Sequence, residues 1–270
     1  MENKPLVSVI MGIYNCAETL EEAVDCIIHQ TFSDWELIMC DDCSSDNTYD
    51  TALKLAEKDN RIILLRNEKN LTLAPTLNKC AREAKGKYLA RMDGDDICAL
   101  DRFQKEIDIL DNHPEYALVS CNMILFDDEG EHGFIKYTEE PDGQLLQRGS
   151  QFCHAGCMMR KDVFDELGGY GETSDVERIE DFNLWYRLYK AGYKGYNIQE
   201  PLYSMRDDRN AFSRRKFKYR INEAKQIIQV SKTFGVGIKS KFKFLVPIIK
   251  GLVPSCVYKK MHQKKLVVKQ

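Results

Sequence analysis

Short apolar runs and amphipathic stretches alternate through the first hundred residues, and this alternation narrows the fold more than any other feature. Leu6–Ile13, Trp35–Cys40, Arg61–Arg66 and Lys87–Met92 have the length and composition of buried strands. Between the first two, Ala17, Leu20, Ala23, Val24, Ile27 and Ile28 recur at helical spacing. A second helix follows the turn Ser44–Asn47 and runs to about Lys58, and a third spans Leu73–Lys85. Asn15 is expected to cap the first helix, with Glu18 completing a capping box, and Gly86 to close the third as its C-cap. A β-α-β-α-β-α-β order requires crossovers between parallel strands. The fold class is therefore α/β, a Rossmann-like, mostly parallel central sheet with helices on both faces and right-handed connections.

Beyond residue 100 the pattern predicts a helix over Asp101–Asn112 and a strand over Tyr116–Cys121. A polar, irregular excursion follows over 127–150, then a strand near His154–Met159. Helices are expected at Lys161–Leu167, ended by Gly168-Gly169, at Ile179–Ala191, ended by Gly192, and at Arg215–Lys232.

Charge is unevenly placed. Residues 211–270 hold 16 of the 39 Lys and Arg residues but one of the 42 Asp and Glu residues. Phe242, Phe244, Leu245, Ile248, Ile249 and Leu252 lie among Lys239, Lys241, Lys243 and Lys250. A basic, amphipathic helical tail of this kind suits an anionic membrane surface, with a dimerisation arm as the alternative. Its longest apolar run, Phe244–Ile249, is far too short to span a bilayer. No apolar leader precedes the first strand, and the ten cysteines are scattered, many in apolar runs. The expectation is a cytoplasmic protein, peripheral on the inner face of the membrane, with nucleic acid outside its set of partners.

Acids stand at the ends of strands. Asp41-Asp42 follows the second strand, and Asp93, Asp95 and Asp96 follow the fourth. In a parallel sheet those ends share one edge, where open α/β sheets bind ligands. Each cluster alone reads as a polar turn; together at matching strand ends they read as one site. Carboxylates this close repel one another unless a divalent cation, Mn2+ or Mg2+, lies between them. Glu180-Asp181 opens an amphipathic helix with Leu184, Trp185 and Leu188 on its apolar stripe. Acids in a first turn serve the helix dipole, but a carboxylate held on a rigid element is also a good general base. His154 reads equally as a hydrogen-bonded structural histidine or as an acceptor contact. The glycine- or lysine-rich phosphate loop of a nucleotidyltransferase and the G-x-G-x-x-G of a dehydrogenase are both absent after the first strand, where the chain reads Tyr14-Asn-Cys-Ala-Glu-Thr. A non-catalytic sugar-nucleotide-binding or scaffold protein and a nucleotidyltransferase are the alternative readings.

Val7–Asn15, Gln30-Thr-Phe and Asp41-Asp-Cys-Ser-Ser-Asp-Asn-Thr48, followed by Lys85–Asp96 and Arg178–Arg187, resemble in order the motifs of family 2 inverting glycosyltransferases. The resemblance extends to bacterial members that build cell-surface polysaccharide. It implies a GT-A fold. Residues 1–100 would be the nucleotide-sugar half, 101–210 the acceptor and catalytic half, and 211–270 the tail. It also implies that Ile13 and Tyr14 frame the donor, with Tyr14 on the base, and that Asp42 bonds a uracil ring. Asp93 would lie at the ribose or sugar, and Asp95, with Asp93, would ligate the metal and diphosphate. Arg91 and Arg206 would contact phosphate or sugar. Asp181 would be the catalytic base, with Glu180 and His154 beside a glycan or lipid-linked acceptor. Two positions depart from the family pattern. Thr72 stands where members often carry glycine, and Asp207 stands where many carry a histidine ligand, which makes Asp207 a candidate metal ligand. One base and one metal imply a single displacement with inversion.

Overall fold

A computed structural model of the chain describes residues 4–207, 216–235 and 242–252. The first half follows the expected alternation: β1 (Val7–Ile13), α1 (Leu20–Ile28), β2 (Trp35–Asp41), α2 (Thr48–Lys58), β3 (Ile62–Arg66), α3 (Leu73–Glu83) and β4 (Tyr88–Arg91). These strands lie side by side in the order β3-β2-β1-β4, all parallel. The second half adds β5 (Ile97–Cys98), α4 (Arg102–Asn112), β6 (Tyr116–Asp127), β7 (Gly130–Ile135), β8 (Met158–Arg160), α5 (Lys161–Glu166), α6 (Glu180–Lys190) and β9 (Lys194–Arg206). Here the sheet turns mixed. β8 runs antiparallel between β4 and β6, while β9 lies parallel to β6 and antiparallel to β5. Two further helices, α7 (Phe217–Phe234) and α8 (Leu245–Leu252), close the described chain.

Alternation along the strands builds two cores, one on each face. Val7, Val9, Met11, Leu37 and Met39 pack with Leu20, Val24 and Ile27 of α1 and with Phe103 and Ile107 of α4. Ile10, Ile38 and Cys40 point the other way, to Leu77 and Cys80 of α3, Trp185 and Leu188 of α6 and Ile227 of α7.

Three local expectations are corrected. Asn15 caps no helix: α1 begins at Leu20, and Asn15 takes a left-handed φ of 51°. Its Oδ1 accepts from the Ser45 N–H at 2.9 Å, so it ties the β1–α1 loop to the β2–α2 loop. Gly86 is no left-handed cap either. Its N–H donates to Ser8 Oγ at 2.8 Å, and a Cβ there would lie 2.6 Å from the Ser8 nitrogen. It is a close-approach glycine, set by the buried Ser8–Glu36 hydrogen bond of 2.6 Å. Residues 127–150 are not wholly irregular: β7 folds back on an extended β6, and Leu145–Arg148 forms a 3-10 turn.

Candidate active site at the sheet switch point

β1 lies between β2 and β4, with Ile13 in register with Asp41 and Ile10 with Arg91. The chain leaves β1 toward β2 and β3, then returns to its other side at β4. Such a switch point opens a crevice at the carboxyl ends of the strands. A cleft lies there in two lobes that share Gly12 and Tyr14. One lobe, of about 480 Å3, is walled by Ile13, Asp42, Thr72, Arg178, Glu180 and Tyr219. The other, of about 780 Å3, is walled by Asn15, Asp46, Asp93, Asp95 and Arg206. Tyr14 stands exposed at their junction, an aromatic face open to a planar ligand.

In the first lobe Asp42 is nearly saturated. Its N–H donates to Ile13 O at 2.9 Å, and its carboxylate accepts from Asn67 Nδ2 at 2.8 Å, Leu71 N at 2.8 Å and Thr72 N at 2.9 Å. Asp42 therefore holds the 67–72 loop as the cleft wall. Thr72 sits at φ 73°, ψ 173°, a region that glycine occupies almost alone.

Beside the second lobe, one carboxylate oxygen from each of Asp93, Asp95 and Asp96 lies within 4.8 Å of the other two. The protein treats them differently. Both oxygens of Asp93 accept from Arg91, at 2.8 and 2.5 Å. Asp96 is buried and accepts from Tyr203 Oη at 2.8 Å and Arg206 N at 2.7 Å. Burial, then the charges of Asp93 and Asp95, push the Asp96 carboxyl well above the ordinary range. Among the described residues, no other side chain is bonded to the Asp95 carboxylate. Asp95 is exposed as a residue, yet its carboxyl sits among packed atoms. That lost hydration, then the Asp93 charge, push it up to about 6. A set of hard oxygen donors with one carboxylate uncommitted suits Mg2+ or Mn2+. The third clustered acid is Asp96 and not Asp207. Asp207 lies one residue past Arg206, its N–H bonded to Phe126 O at 2.9 Å.

Arg206 lines the same lobe. Its Nε donates to Asp95 O at 3.2 Å, while its other nitrogens meet Glu22 at 2.9 Å and Asp128 at 3.1 Å. Arg91, buried and committed to Asp93, is a support for the site in this structure. Beneath it, Arg102 Nη2 donates to Arg91 O at 3.0 Å and Cys157 O at 3.3 Å. Arg102 is paired with Glu106 at 3.1 Å, both fully buried.

α6 brings its first turn to the cleft. Glu180 lines the first lobe, and burial, then the Asp181 charge, push its carboxyl up. Asp181 is half-buried beside it, and its charge bears on Tyr137, Cys157 and Tyr170. Asp181 itself is in the lining of neither lobe. His154 Nε2 lies 2.9 Å from Tyr170 Oη, and the ring meets Trp185 edge-on. Burial, then Arg91, hold its pKa well below the usual range, so it is neutral. It lines neither lobe in this structure.

Sequence reasoning missed Tyr203, Tyr219 and the Arg102–Glu106 pair. Only the last had a local signal, an i,i+4 spacing that ordinarily marks a solvated helix face.

Residues 8–168 match the model of glycosyl transferase family 2. The chain belongs to that family. Along nearly its whole length it is similar to the putative glycosyltransferase EpsE of Bacillus subtilis (strain 168), at 38% identity over 268 residues, 99% of this chain and 96% of that protein. It is also similar to the UDP-Glc:alpha-D-GlcNAc-diphosphoundecaprenol beta-1,3-glucosyltransferase WfaP of Escherichia coli, at 27% identity over 93% of this chain and 96% of that one. Among solved structures, the mannosyltransferase PcManGT of Pyrobaculum calidifontis, in complex with GDP-Man and Mn2+, superposes with a TM-score of 0.64. Its identity is 17%, over 99% of this chain and 82% of that one. This glycosyltransferase therefore has the GT-A fold expected from its motifs.

Proposed function

We propose that this glycosyltransferase moves a sugar, with inversion, from a UDP-sugar to a hydroxyl of a glycan or lipid-linked acceptor in surface polysaccharide synthesis. One observation carries the proposal: among the described residues Asp95 alone of three clustered carboxylates is left uncommitted, and Glu180 of α6 lines the adjoining lobe. In this reading residues 1–100 bind the donor, 101–210 the acceptor, and 211–270 form the tail. Tyr14 packs on the base, and Asp42 meets the uracil with its remaining acceptor capacity. Asp95, with Asp93, would hold Mn2+ or Mg2+, which would supply positive charge for a departing diphosphate. Arg206 adds positive charge to the same lobe.

The acceptor hydroxyl is a poor nucleophile at neutral pH. Asp181 takes its proton as the new bond forms, and Glu180 orients the acceptor. The UDP donor and lipid-linked acceptor of WfaP favour this choice of substrates. Among the described residues no helix is long and apolar enough to cross a membrane. The charge of the basic tail supports a peripheral position on the inner membrane face.

Asp181→Asn tests the assignment. The variant should bind UDP-sugar with Mn2+ as tightly as the parent in calorimetry, yet lose about 10²–10⁴-fold in transfer. Turnover near the parent rate would overturn Asp181 as the base.

A further inference from the structure

We propose that one face of α8 docks on an anionic lipid surface and, through α7, sets the cleft beside that surface. The second half of this statement rests on the reading of the cleft above; the first does not.

Phe242, Leu245, Val246, Ile249 and Leu252 recur at helical spacing and are 41% to 71% exposed. They form one apolar stripe turned to solvent. The opposite side of α8 is seated: Pro247 is buried, and Gly251 meets Phe217 and Arg220 of α7. No ordinary core function remains for the exposed stripe, because the helix already spends its other side on α7.

The chemistry of the occupant follows from charge. Lys243 and Lys250 border the stripe, and residues 236–270 contain nine lysines and no acid. An apolar face flanked by lysines alone matches an interface of acyl chains beneath anionic headgroups. A second copy of this chain would bring the same positive charge to the contact and is repelled. Too short to span, α8 lies in the interface plane.

The link to the cleft is short. Phe217, under α8, is two residues from Tyr219, which walls the first lobe. Tyr219 Oη donates to Glu177 Oε1 at 2.8 Å, and Lys218 Nζ to Glu177 Oε2 at 2.8 Å. Glu177 itself lines the lobe, three residues before α6 begins at Glu180. α7 thus carries both the seat of α8 and a wall of the cleft.

The experiment uses the full chain and its Ile249→Glu/Leu252→Glu variant, without donor or acceptor. Each is co-sedimented with vesicles of phosphatidylcholine alone or mixed with phosphatidylglycerol, and self-association is read by sedimentation velocity. The parent should partition onto the mixed vesicles and only weakly onto neutral ones, with binding falling as salt rises. The double variant should lose about tenfold or more in partitioning. Equal UDP-sugar affinity in the two proteins would show that the variant is folded. Parent binding that ignores phosphatidylglycerol, or variant binding equal to the parent's, overturns the proposal. A parent dimer that the variant dissolves, with no vesicle binding, assigns the face to a second copy and overturns it too. Because no substrate is present, a wrong acceptor assignment leaves these outcomes unchanged.

Discussion

Arg91 grips both carboxylate oxygens of Asp93, at 2.8 and 2.5 Å, from a buried position at the end of β4. This pair sorts the acid cluster. Asp93 is neutralised from below, Asp96 is bonded to β9, and Asp95 is left facing the cleft. Through this pair Arg91 is expected to act on the site by holding Asp93.

Arg91→Lys should therefore weaken Mn2+-dependent UDP-sugar binding. Lysine offers a point charge and cannot fork onto two oxygens, so Asp93 is left less neutralised and less fixed. Supports of metal ligands usually contribute about 10–100-fold in affinity, and that loss is expected in calorimetry with Mn2+. Unchanged affinity in a folded variant would remove Arg91 from this role.

Thr72 stores backbone strain that Asp42 holds in place. A non-glycine residue at φ 73°, ψ 173° costs about 1–3 kcal/mol, while glycine costs about 0.5–1 kcal/mol in chain entropy. The Thr72 side chain is exposed and has little packing to lose. Thr72→Gly should stabilise the enzyme by about 1 kcal/mol, seen as a Tm rise of roughly 2–4 °C in calorimetry. A lower Tm would mean that the loop is not strained.

Glu106 gives stability a dependence on pH. Burial raises its carboxyl to about 7, against an ordinary value of 4.5, although Arg102 opposes the shift. A raised folded-state pKa means that the native state binds the proton more tightly than the unfolded chain. The contribution is complete below 4.5 and is lost as pH rises through 7. The loss is on the order of 3 kcal/mol. In Glu106→Gln that segment of the pH profile should flatten, measured by urea unfolding at a series of pH values. An identical slope in parent and variant would rule out Glu106 as its source.

The alternation of strands and helices, the acids at the ends of β2 and β4, and the Leu184-Trp185-Leu188 stripe of α6 were all legible in the sequence. Each is a local pattern, repeated at the period of its own secondary structure. β9 was not legible. Its thirteen residues carry no clean alternation, and its pairing with β6 shifts register near Pro201. Yet β9 brings Tyr203 and Arg206 to an acid loop more than a hundred residues earlier.

The sequence by itself determined that carboxylates would gather at one edge of a parallel sheet, because strand direction follows from the order of elements. Which of them stays available was decided only by the tertiary structure. Hydrogen-bond donors arrive from Arg91, Tyr203 and the Arg206 backbone, and their distances depend on sheet pairing, not on spacing along the chain. The same holds for Asn15 and Gly86, whose partners lie in other loops and strands. A residue type states what bonds it can make; long-range packing states which of them it makes.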